Sequence, residues 1–340
     1  MSPPTKPQLS AINPSWAVEG GRITINGSGF PIDRPQLPEV KIGDTPARAV
    51  YASSSTIAVL VPSGLDGGRT PVRVEGMPGE TGLLEVGSIY ANGLHQVDNP
   101  VFDKAGNLYV TYSGTRGQEV PVSIFRVSQS GRRESFVSGI VNPTSMTFDA
   151  YGNLYVSSRF EGCVYRVRPD GTHETFATDL GIACGLAFGG DDALYVGDRS
   201  GTVFRVQPGG KAEAIATLPS SVAAFHLAVG PDDSVYVTAP TLGPYDHVYR
   251  IEPRNRNVSL IYSGFGRPQG LAFDSQGALY VVEALAGWSG LYRLHKDAKP
   301  ELVVAGPSLV GVAFNPLGGL VVASNETVYR LQVGIRPLVI

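Results

Sequence analysis

The sequence predicts an all-β protein in which a small β-sandwich is followed by a six-bladed β-propeller. Three observations lead to this prediction. The first quarter of the chain consists of short segments in which polar and apolar residues alternate. The remainder repeats a four-segment unit six times. Glycine and proline are frequent and scattered, which favours many short strands joined by tight turns over long helices.

The first predicted domain covers residues 5–88. The segment Arg22–Asn26 (RITIN) alternates as a half-buried strand does, and it stops at GSGF, where Gly27 and Gly29 can adopt the positive φ of a turn. Similar short runs follow, with the sequences VKI, ARAVYAS, TIAVLV and TPVRVEG. Short strands at this spacing predict a small antiparallel sandwich.

The second predicted domain covers residues 97–340. A four-residue pattern (aliphatic, aromatic, Arg, aliphatic) recurs about forty residues apart, as expected of propeller blades. It occurs at Ile124–Val127, Val164–Val167, Val203–Val206, Val248–Ile251, Leu291–Leu294 and Val328–Leu331. Each copy is the third of four apolar segments, so six units of four strands are expected to close a ring.

Two further expectations concern the ends of the propeller. Because all six units already hold four segments, Arg336–Ile340 (RPLVI) is predicted to form the outermost strand of the sixth blade. The link Ser88–Gln96 is short and lacks a Gly/Ser-rich or Pro-rich tract, so the sandwich is expected to rest against the propeller in a narrow range of orientations.

Local polar residues of the repeat have structural interpretations. In its clearest copies the turn between the first two strands reads F-D-x-x-G, so Asp103, Asp149 and Asp274 are interpreted as turn-forming residues rather than metal ligands. The arginine of each third strand is expected to direct its guanidinium to water or to a carboxylate. Cys163 and Cys184 lack metal-type spacing and are expected to be buried free thiols.

Charge and hydropathy limit the partners. A net charge of −3 without a basic stripe gives no reason to expect nucleic acid. No apolar run approaches the length of a membrane span. The N-terminal residues show no secretory signal, so the sequence as given is compatible with the cytoplasm, or with export if a signal has been removed. The compartment and the oligomeric state stay open.

Two stretches carry a resemblance to known families. INPSWAVEGGRITINGSGF and VKIGDTPARAV resemble the opening of the IPT/TIG family of immunoglobulin-like domains, which implies a spacer or interaction module. GLAFDSQGALYVVEA and MTFDAYGNLYVSSR resemble NHL repeats and the blades of six-bladed gluconolactonase-type propellers, the senescence-marker family of lactone hydrolases. The sandwich is therefore expected to be immunoglobulin-like.

The gluconolactonase resemblance implies one divalent cation at the mouth of the central channel, bound by residues just before the inner strands. The corresponding positions are Asp98, Thr144, Cys184, Phe225, Gln269 and Val310. Only Asp98 carries a charge, whereas a hard cation needs several oxygen ligands. No cofactor is therefore expected. Calcium or zinc at Asp98 belongs to an alternative interpretation, a metal-dependent lactone hydrolase with an atypical ligand set.

Other candidate residues lie around the channel. His226 is the only one of the five histidines predicted on an inner strand, and with Asp98 it is a weak catalytic candidate, for example as the general base of a lyase. Charged residues follow several second strands at the same end of the ring, where they could contact a small polar ligand. These are Arg159, Asp198, Arg199 and Glu283.

The favoured interpretation is a binding or interaction protein that uses the channel mouth and loops for a small polar ligand or a protein partner. Whether the protein is an enzyme stays open. The candidate ligand-binding residues are Asp98, Thr144, Cys184, His226, Gln269, Arg159, Asp198, Arg199 and Glu283.

Overall fold

The computed structural model describes residues 7–32, 36–296 and 298–338. Every regular element within these ranges is a β-strand, which confirms the all-β prediction. Residues 5 and 6 of the predicted sandwich, and Val339 and Ile340 of the predicted last strand, lie outside the described residues. None of the described residues forms a helix of the length and apolarity needed to cross a membrane.

The N-terminal domain consists of eight strands around an apolar core that includes Ile23, Ile25 and Leu84. The strands are β1 (Gln8–Asn13), β2 (Trp16–Ala17), β3 (Arg22–Ser28), β4 (Val40–Ile42), β5 (Thr45–Ala52), β6 (Thr56–Leu60), β7 (Gly68–Val74) and β8 (Gly82–Val86). The beginning of β5 pairs with β4 and the rest pairs with β6, so the eight strands share one continuous hydrogen-bonded order. Strand β5 thus passes from the sheet of β1, β3 and β6 to the sheet of β4, β7 and β8. The domain is not clearly immunoglobulin-like, contrary to the prediction.

The first part of the propeller consists of thirteen strands. These are β9 (Ser88–Asn92), β10 (Val101–Phe102), β11 (Leu108–Thr111), β12 (Ile124–Val127), β13 (Arg133–Val137), β14 (Pro143–Phe148), β15 (Leu154–Ser158), β16 (Cys163–Val167), β17 (His173–Ala177), β18 (Ala183–Phe188), β19 (Leu194–Asp198), β20 (Thr202–Val206) and β21 (Ala212–Thr217).

The second half of the propeller repeats the same alternation of strands and turns. Its strands are β22 (His226–Val229), β23 (Val235–Thr238), β24 (Asp246–Glu252), β25 (Asn257–Phe265), β26 (Pro268–Phe273), β27 (Leu279–Glu283), β28 (Gly290–His295), β29 (Ala298–Ala305), β30 (Leu309–Phe314), β31 (Leu320–Ser324) and β32 (Thr327–Leu331). The repeated arginine lies on the third strand of each group, as predicted.

Five four-stranded antiparallel blades stand as separate sheets: β10–β13, β14–β17, β18–β21, β22–β25, and β30–β32 with β9. The propeller therefore has five separate blades, and the prediction of a six-bladed propeller is wrong. Strands β26–β29 keep the order of the repeat and contact β22 and β30, but they belong to a twelve-stranded sheet that includes the N-terminal domain. The reason is β2, which pairs in parallel with β29 on one side and with β8 on the other.

The predicted closure of the ring is also wrong. The outer partner of β32 is β9, with Val328 opposite Ala91, and not Arg336–Ile340. Tyr90 and Ala91 on β9 contribute to the apolar core that contains Val328, so burial favours this pairing. The described part of the C-terminal segment lies beside the end of β26 instead, where the amide of Leu338 donates to the carbonyl of Phe273 (3.1 Å).

The two regions are joined by more than a short link. Backbone pairing of Trp16 with Val304 continues the sheet across the junction. Val18 is fully buried in a core shared with the propeller residues Leu309 and Leu331, and the hydroxyl of Tyr329 donates to Glu19 (2.7 Å). The connection is closer than the simple resting contact predicted from the sequence.

The structural interpretations of the turn aspartates and of the cysteines are confirmed, and that of the repeated arginines holds for four of the six. The carboxylate of Asp149 accepts the amide of Asn153 (2.8 Å), and Asp103 and Asp274 form the same contact in their turns. Four of the repeated arginines pair with carboxylates: Arg126, Arg166, Arg205 and Arg250. These pairs are partly exposed and add little stability individually. Cys163 and Cys184 are buried free thiols.

Candidate functional site

The candidate site lies where the inner strands begin. In each blade the first strand runs antiparallel to the second, so the start of one lies beside the end of the other. Pro143 pairs with Ser158, Ala183 with Asp198, and Pro268 with Glu283. The positions chosen from the sequence before the inner strands and after the second strands therefore meet at one end of the ring, here called the mouth.

Three of the predicted residues form a hydrogen-bonded chain across the channel, here called the central cluster (Asp98, His226 and Gln269). Asp98 Oδ1 lies 2.6 Å from His226 Nδ1. His226 Nε2 lies 3.3 Å from Gln269 Oε1. All three side chains are buried, and His226 has no exposed surface. The closed ring thus brings together residues that lie far apart in the sequence.

The hydrogen-bonding capacity of the central cluster defines what it can do. The ring nitrogen Nδ1 donates to the Asp98 carboxylate, which fixes the orientation of the imidazole. On the other side, Nε2 faces the oxygen of Gln269 and can donate to it when Nε2 carries a proton, whereas a ring without that proton can accept from the amide nitrogen only after the amide turns over. Asp98 and Gln269 therefore hold the imidazole from both sides.

Two residues that sequence reasoning missed support this cluster. The side chain of Gln96 donates to the Asp98 carbonyl (2.6 Å) and accepts from the Thr111 amide (2.8 Å). Asn99 donates to the carbonyl of Leu271 (2.8 Å) and accepts from the amide of Val312 (2.9 Å), so it links two neighbouring inner strands, β26 and β30. Asn99 directly precedes a proline at the start of an inner strand, a signal that the sequence does contain.

The remaining positions before the inner strands are unsuited to a cation. Thr144 donates its hydroxyl to the carbonyl of Asn142 (3.2 Å). Burial raises the pKa of the Cys184 thiol to about 11, so the thiol is protonated at neutral pH. Phe225 is fully buried hydrocarbon. Among the described residues no three His, Cys, Asp or Glu side chains converge as a metal-binding group. These residues do not fit the cation that the gluconolactonase resemblance implies.

The two acidic residues predicted at the mouth accept hydrogen bonds from backbone amides. Asp198 accepts the amides of Ile182 (2.8 Å) and Ser200 (3.1 Å). Glu283 accepts the amides of Gly266 (2.7 Å) and Leu285 (2.7 Å), among others, and its burial raises the pKa of the carboxyl. Both carboxylates are buried and hold loops in place, so neither is free to bind a ligand.

The arginines of the mouth behave differently. The guanidinium of Arg199 donates to the carbonyls of Ser221 (3.1 Å) and Val222 (2.9 Å), and to no carboxylate among the residues that the structure describes. Arg159 is half-buried, and its side chain has neither an ion pair nor a hydrogen bond among the described residues. Burial lowers the pKa of Arg159, and the nearby guanidinium groups of Arg199 and Arg116 lower it further.

The mouth carries three guanidinium groups, those of Arg116, Arg159 and Arg199, and it also carries carboxylates such as those of Asp198 and Glu326. Burial and then the charge of Arg159 lower the pKa of His95, which lies at the same end of the ring. Asp198 keeps its charge while it accepts backbone amides, but none of the three arginines forms an ion pair with a carboxylate within the part of the chain that the structure describes. Such an arrangement attracts anions.

The opposite end of the channel is a funnel of about 640 Å³. Asp98 and Asn99 lie at its inner end, so the central cluster separates the funnel from the mouth. The walls are largely apolar and come from the ends of the inner strands. They include Phe102, Phe148, Phe188, Val229, Phe273 and Phe314.

Comparisons with known proteins can be set beside this geometry. Residues 7–83 match the family model of the IPT/TIG domain. No curated protein matches the chain in sequence. Many solved structures share the fold, and their low identities to this chain indicate common architecture alone.

Three of these structures illustrate the range of functions. A suggested gluconolactonase is 17% identical, with a TM-score of 0.61 over 74% of this chain and 93% of its own. An auxiliary nutrient binding protein from Bacteroides ovatus is 13% identical, with a TM-score of 0.55 over 97% and 98%. An inactive histidine-to-alanine variant of virginiamycin B lyase from Staphylococcus aureus, with quinupristin, is 13% identical, with a TM-score of 0.54 over 92% and 99%.

Proposed function

We propose that the protein binds a small ligand through an oxyanion group at the mouth, with Arg159 as the main contact. The observation that carries this proposal is the half-buried guanidinium of Arg159, which lacks a carboxylate partner among the described residues. A buried charge without a partner is costly in the free protein. A bound carboxylate or phosphate would supply that partner, in the bidentate geometry that guanidinium groups favour.

The surroundings of Arg159 support an anion over a cation. Arg116 and Arg199 lie close enough to affect its pKa. Asp198 and Glu283, the two acidic residues predicted at this end, are engaged with backbone amides. Neither carboxylate pairs with Arg159, so its guanidinium is available to an incoming oxyanion. The nutrient binding neighbour makes small-molecule binding a function that this architecture can carry.

A second candidate function is catalysis at the central cluster, favoured by the 2.6 Å contact between Asp98 and His226. An oriented imidazole is suited to general-base chemistry of the lyase or hydrolase type. The virginiamycin B lyase neighbour, inactive as a histidine-to-alanine variant, is compatible with this candidate. His226 has no exposed surface, however, so a substrate would first have to displace the side chains above it. Binding is therefore the preferred proposal, and the metal-dependent lactone hydrolase is the less favoured alternative.

The proposal can be tested by ligand-induced stabilisation and calorimetry on the full-length protein. The probes are small carboxylic acids, sugar acids and sugar phosphates, each paired with its neutral alcohol or amide. The anionic probes are expected to bind more tightly than their neutral partners, and Arg159→Gln is expected to weaken them at least about tenfold.

Arg132→Gln is the matched control, because it makes the same change of charge at an exposed turn on the opposite face of the ring. Equal affinities of the wild type and Arg159→Gln would rule out the proposed contact. Turnover of a lactone or of another probe, lost in His226→Ala, would favour the catalytic candidate instead.

A further inference from the structure

We propose that Asn142 is a positioning residue that holds Arg116 beside Arg159, and that the resulting pair selects doubly charged oxyanions over singly charged ones. The inference rests on the proposed function, and it adds the class of ligand and the residue that sets it. Asn142 is fully buried and directly precedes the inner strand β14. It was not among the residues selected from the sequence.

The side chain of Asn142 fixes the loop that follows β11. Its Nδ2 donates to the carbonyls of Ser113 (2.6 Å) and Thr115 (2.7 Å). Its Oδ1 accepts the amide of Gly117 (2.6 Å). The hydrogen bonds therefore bracket Arg116, the residue between Thr115 and Gly117. The backbone that carries this guanidinium is held on both sides by one buried amide.

The main chain of Asn142 reaches the second arginine. Its carbonyl accepts the amide of Arg159 (3.4 Å). One residue thus contacts the backbone on both sides of Arg116 and at Arg159 itself. Asn142 has a φ of 48°, a left-handed conformation that asparagine and glycine tolerate better than other residues.

The loop is supported from a second side by Phe160. A Cβ placed on Gly117 would lie 3.0 Å from the Phe160 ring, so the ring and the loop are in close contact. Gly117 also has a positive φ of 74°. The loop is therefore held by a buried polar anchor, Asn142, and by a partly exposed apolar contact.

Positive charges repel, so two guanidinium groups stay close only where the backbone holds them or an anion lies between them. The loop that carries Arg116 and the backbone of Arg159 both contact Asn142, and Gly117 lies against Phe160, so the two arginines extend from adjoining segments; consistent with this, the charge of Arg116 lowers the pKa of Arg159. A singly charged ligand can neutralise one guanidinium, whereas a doubly charged ligand can neutralise both. The spacing maintained by Asn142 therefore favours dianions, such as phosphate monoesters, over monoanions of similar shape.

The test compares methyl phosphate with methyl sulfate at pH 8, where the phosphate carries close to two charges and the sulfate carries one. The two probes have nearly the same shape, so the ratio of their affinities reports charge selectivity. The full-length protein is expected to bind methyl phosphate about tenfold more tightly than methyl sulfate. Calorimetry measures both constants for the wild type and for Asn142→Gly, Arg116→Gln and the double variant.

Asn142→Gly removes the side-chain contacts but keeps the left-handed backbone and the carbonyl that Arg159 uses. It is expected to lower the affinity ratio to about two or three, as Arg116→Gln does, and the double variant is expected to match either single variant. A purely structural role for Asn142 would leave the ratio unchanged. Additive effects in the double variant would also overturn the proposal.

Two controls keep the outcomes distinct. Phe160→Ala loosens the same loop without creating a buried unpaired polar group, and it is expected to lower the ratio of the methyl phosphate affinity to the methyl sulfate affinity. It takes the place of Asn142→Gly if that variant does not fold. Arg159→Gln is expected to weaken both probes. If Arg159→Gln weakens neither, the proposed function fails. If it weakens both while Asn142→Gly and Phe160→Ala keep the wild-type ratio, only the role of Asn142 and Arg116 fails.

Discussion

Replacement of Asp98 by alanine tests the central cluster. The substitution removes the acceptor of the His226 ring nitrogen (2.6 Å) and of the Asn99 amide (2.7 Å). Each donor left without a partner costs about 1–3 kcal/mol, with the partly buried Asn99 amide at the low end. The free energy of unfolding is therefore expected to fall by about 2–5 kcal/mol for Asp98→Ala.

Asp98→Asn is the matched control, because it keeps an oxygen acceptor and removes only the charge. Its expected cost is about 1 kcal/mol, the difference between a charge-assisted and a neutral hydrogen bond. Urea denaturation of the three proteins, followed by tryptophan fluorescence, measures the series. Equal stability of Asp98→Ala and the wild type would refute the contact between Asp98 and His226.

The same variants distinguish the cluster from a metal site. Asp98 is engaged with His226, so calcium and zinc are expected to bind weakly. At micromolar concentrations, well below the Kd, either metal should change the melting temperature of the wild type by less than about 1 °C. A rise of several degrees that Asp98→Ala abolishes would contradict this expectation. That result would make the metal-dependent lactone hydrolase the preferred function.

Three further predictions concern stability. Asn99→Ala leaves the Leu271 carbonyl and the Val312 amide unpaired, so it should lower the free energy of unfolding by about 2–4 kcal/mol. The stability of Asn99→Asp should be closer to that of the wild type. Val18→Ala should lower the free energy of unfolding by about 2 kcal/mol, and calorimetry should show a single transition at a lower temperature. Two transitions of which only one is shifted would contradict the shared core. Burial raises the pKa of the Cys184 thiol to about 11, against a usual value near 9, so between these values only the unfolded state loses this proton. The free energy of unfolding should therefore fall from pH 9 to pH 11, and it should fall less in Cys184→Ala.

The repeat was predictable because it is local and recurs. The pattern around each repeated arginine identifies a third strand, and in three of the six copies the Asp and Gly of the first turn identify the hairpin before it. Ring closure was not predictable in the same way. Ser88–Asn92 and Arg336–Ile340 are both short segments of similar character, and the choice between them depends on long-range packing of Tyr90 and Ala91.

The continuous sheet across the domain junction depends on an even shorter element. Strand β2 has two residues, Trp16 and Ala17, too few for alternation to reveal it. Its position between β8 and β29 follows from the tertiary structure alone. The sequence therefore predicts the units of the ring well, but not how the fifth unit is joined to the N-terminal domain.

The site shows the same division between local and long-range information. Alignment of the repeats selects Asp98, His226 and Gln269 individually, but only the closed ring shows that they contact each other. Asp198 and Glu283 resemble free acidic residues in the sequence, whereas the structure uses them to hold backbone amides. Asn142 was overlooked although it precedes a proline at an inner strand, as Asn99 does.

The central claim is that the mouth receives an oxyanion at Arg159. The most direct measurement is a crystal structure of the full-length protein with the anionic probe that stabilises it most. The account predicts the acid group of that probe within about 2.7–2.9 Å of the Arg159 guanidinium nitrogens. A probe bound in the apolar funnel at the opposite end of the channel, with Arg159 unchanged, would contradict the account.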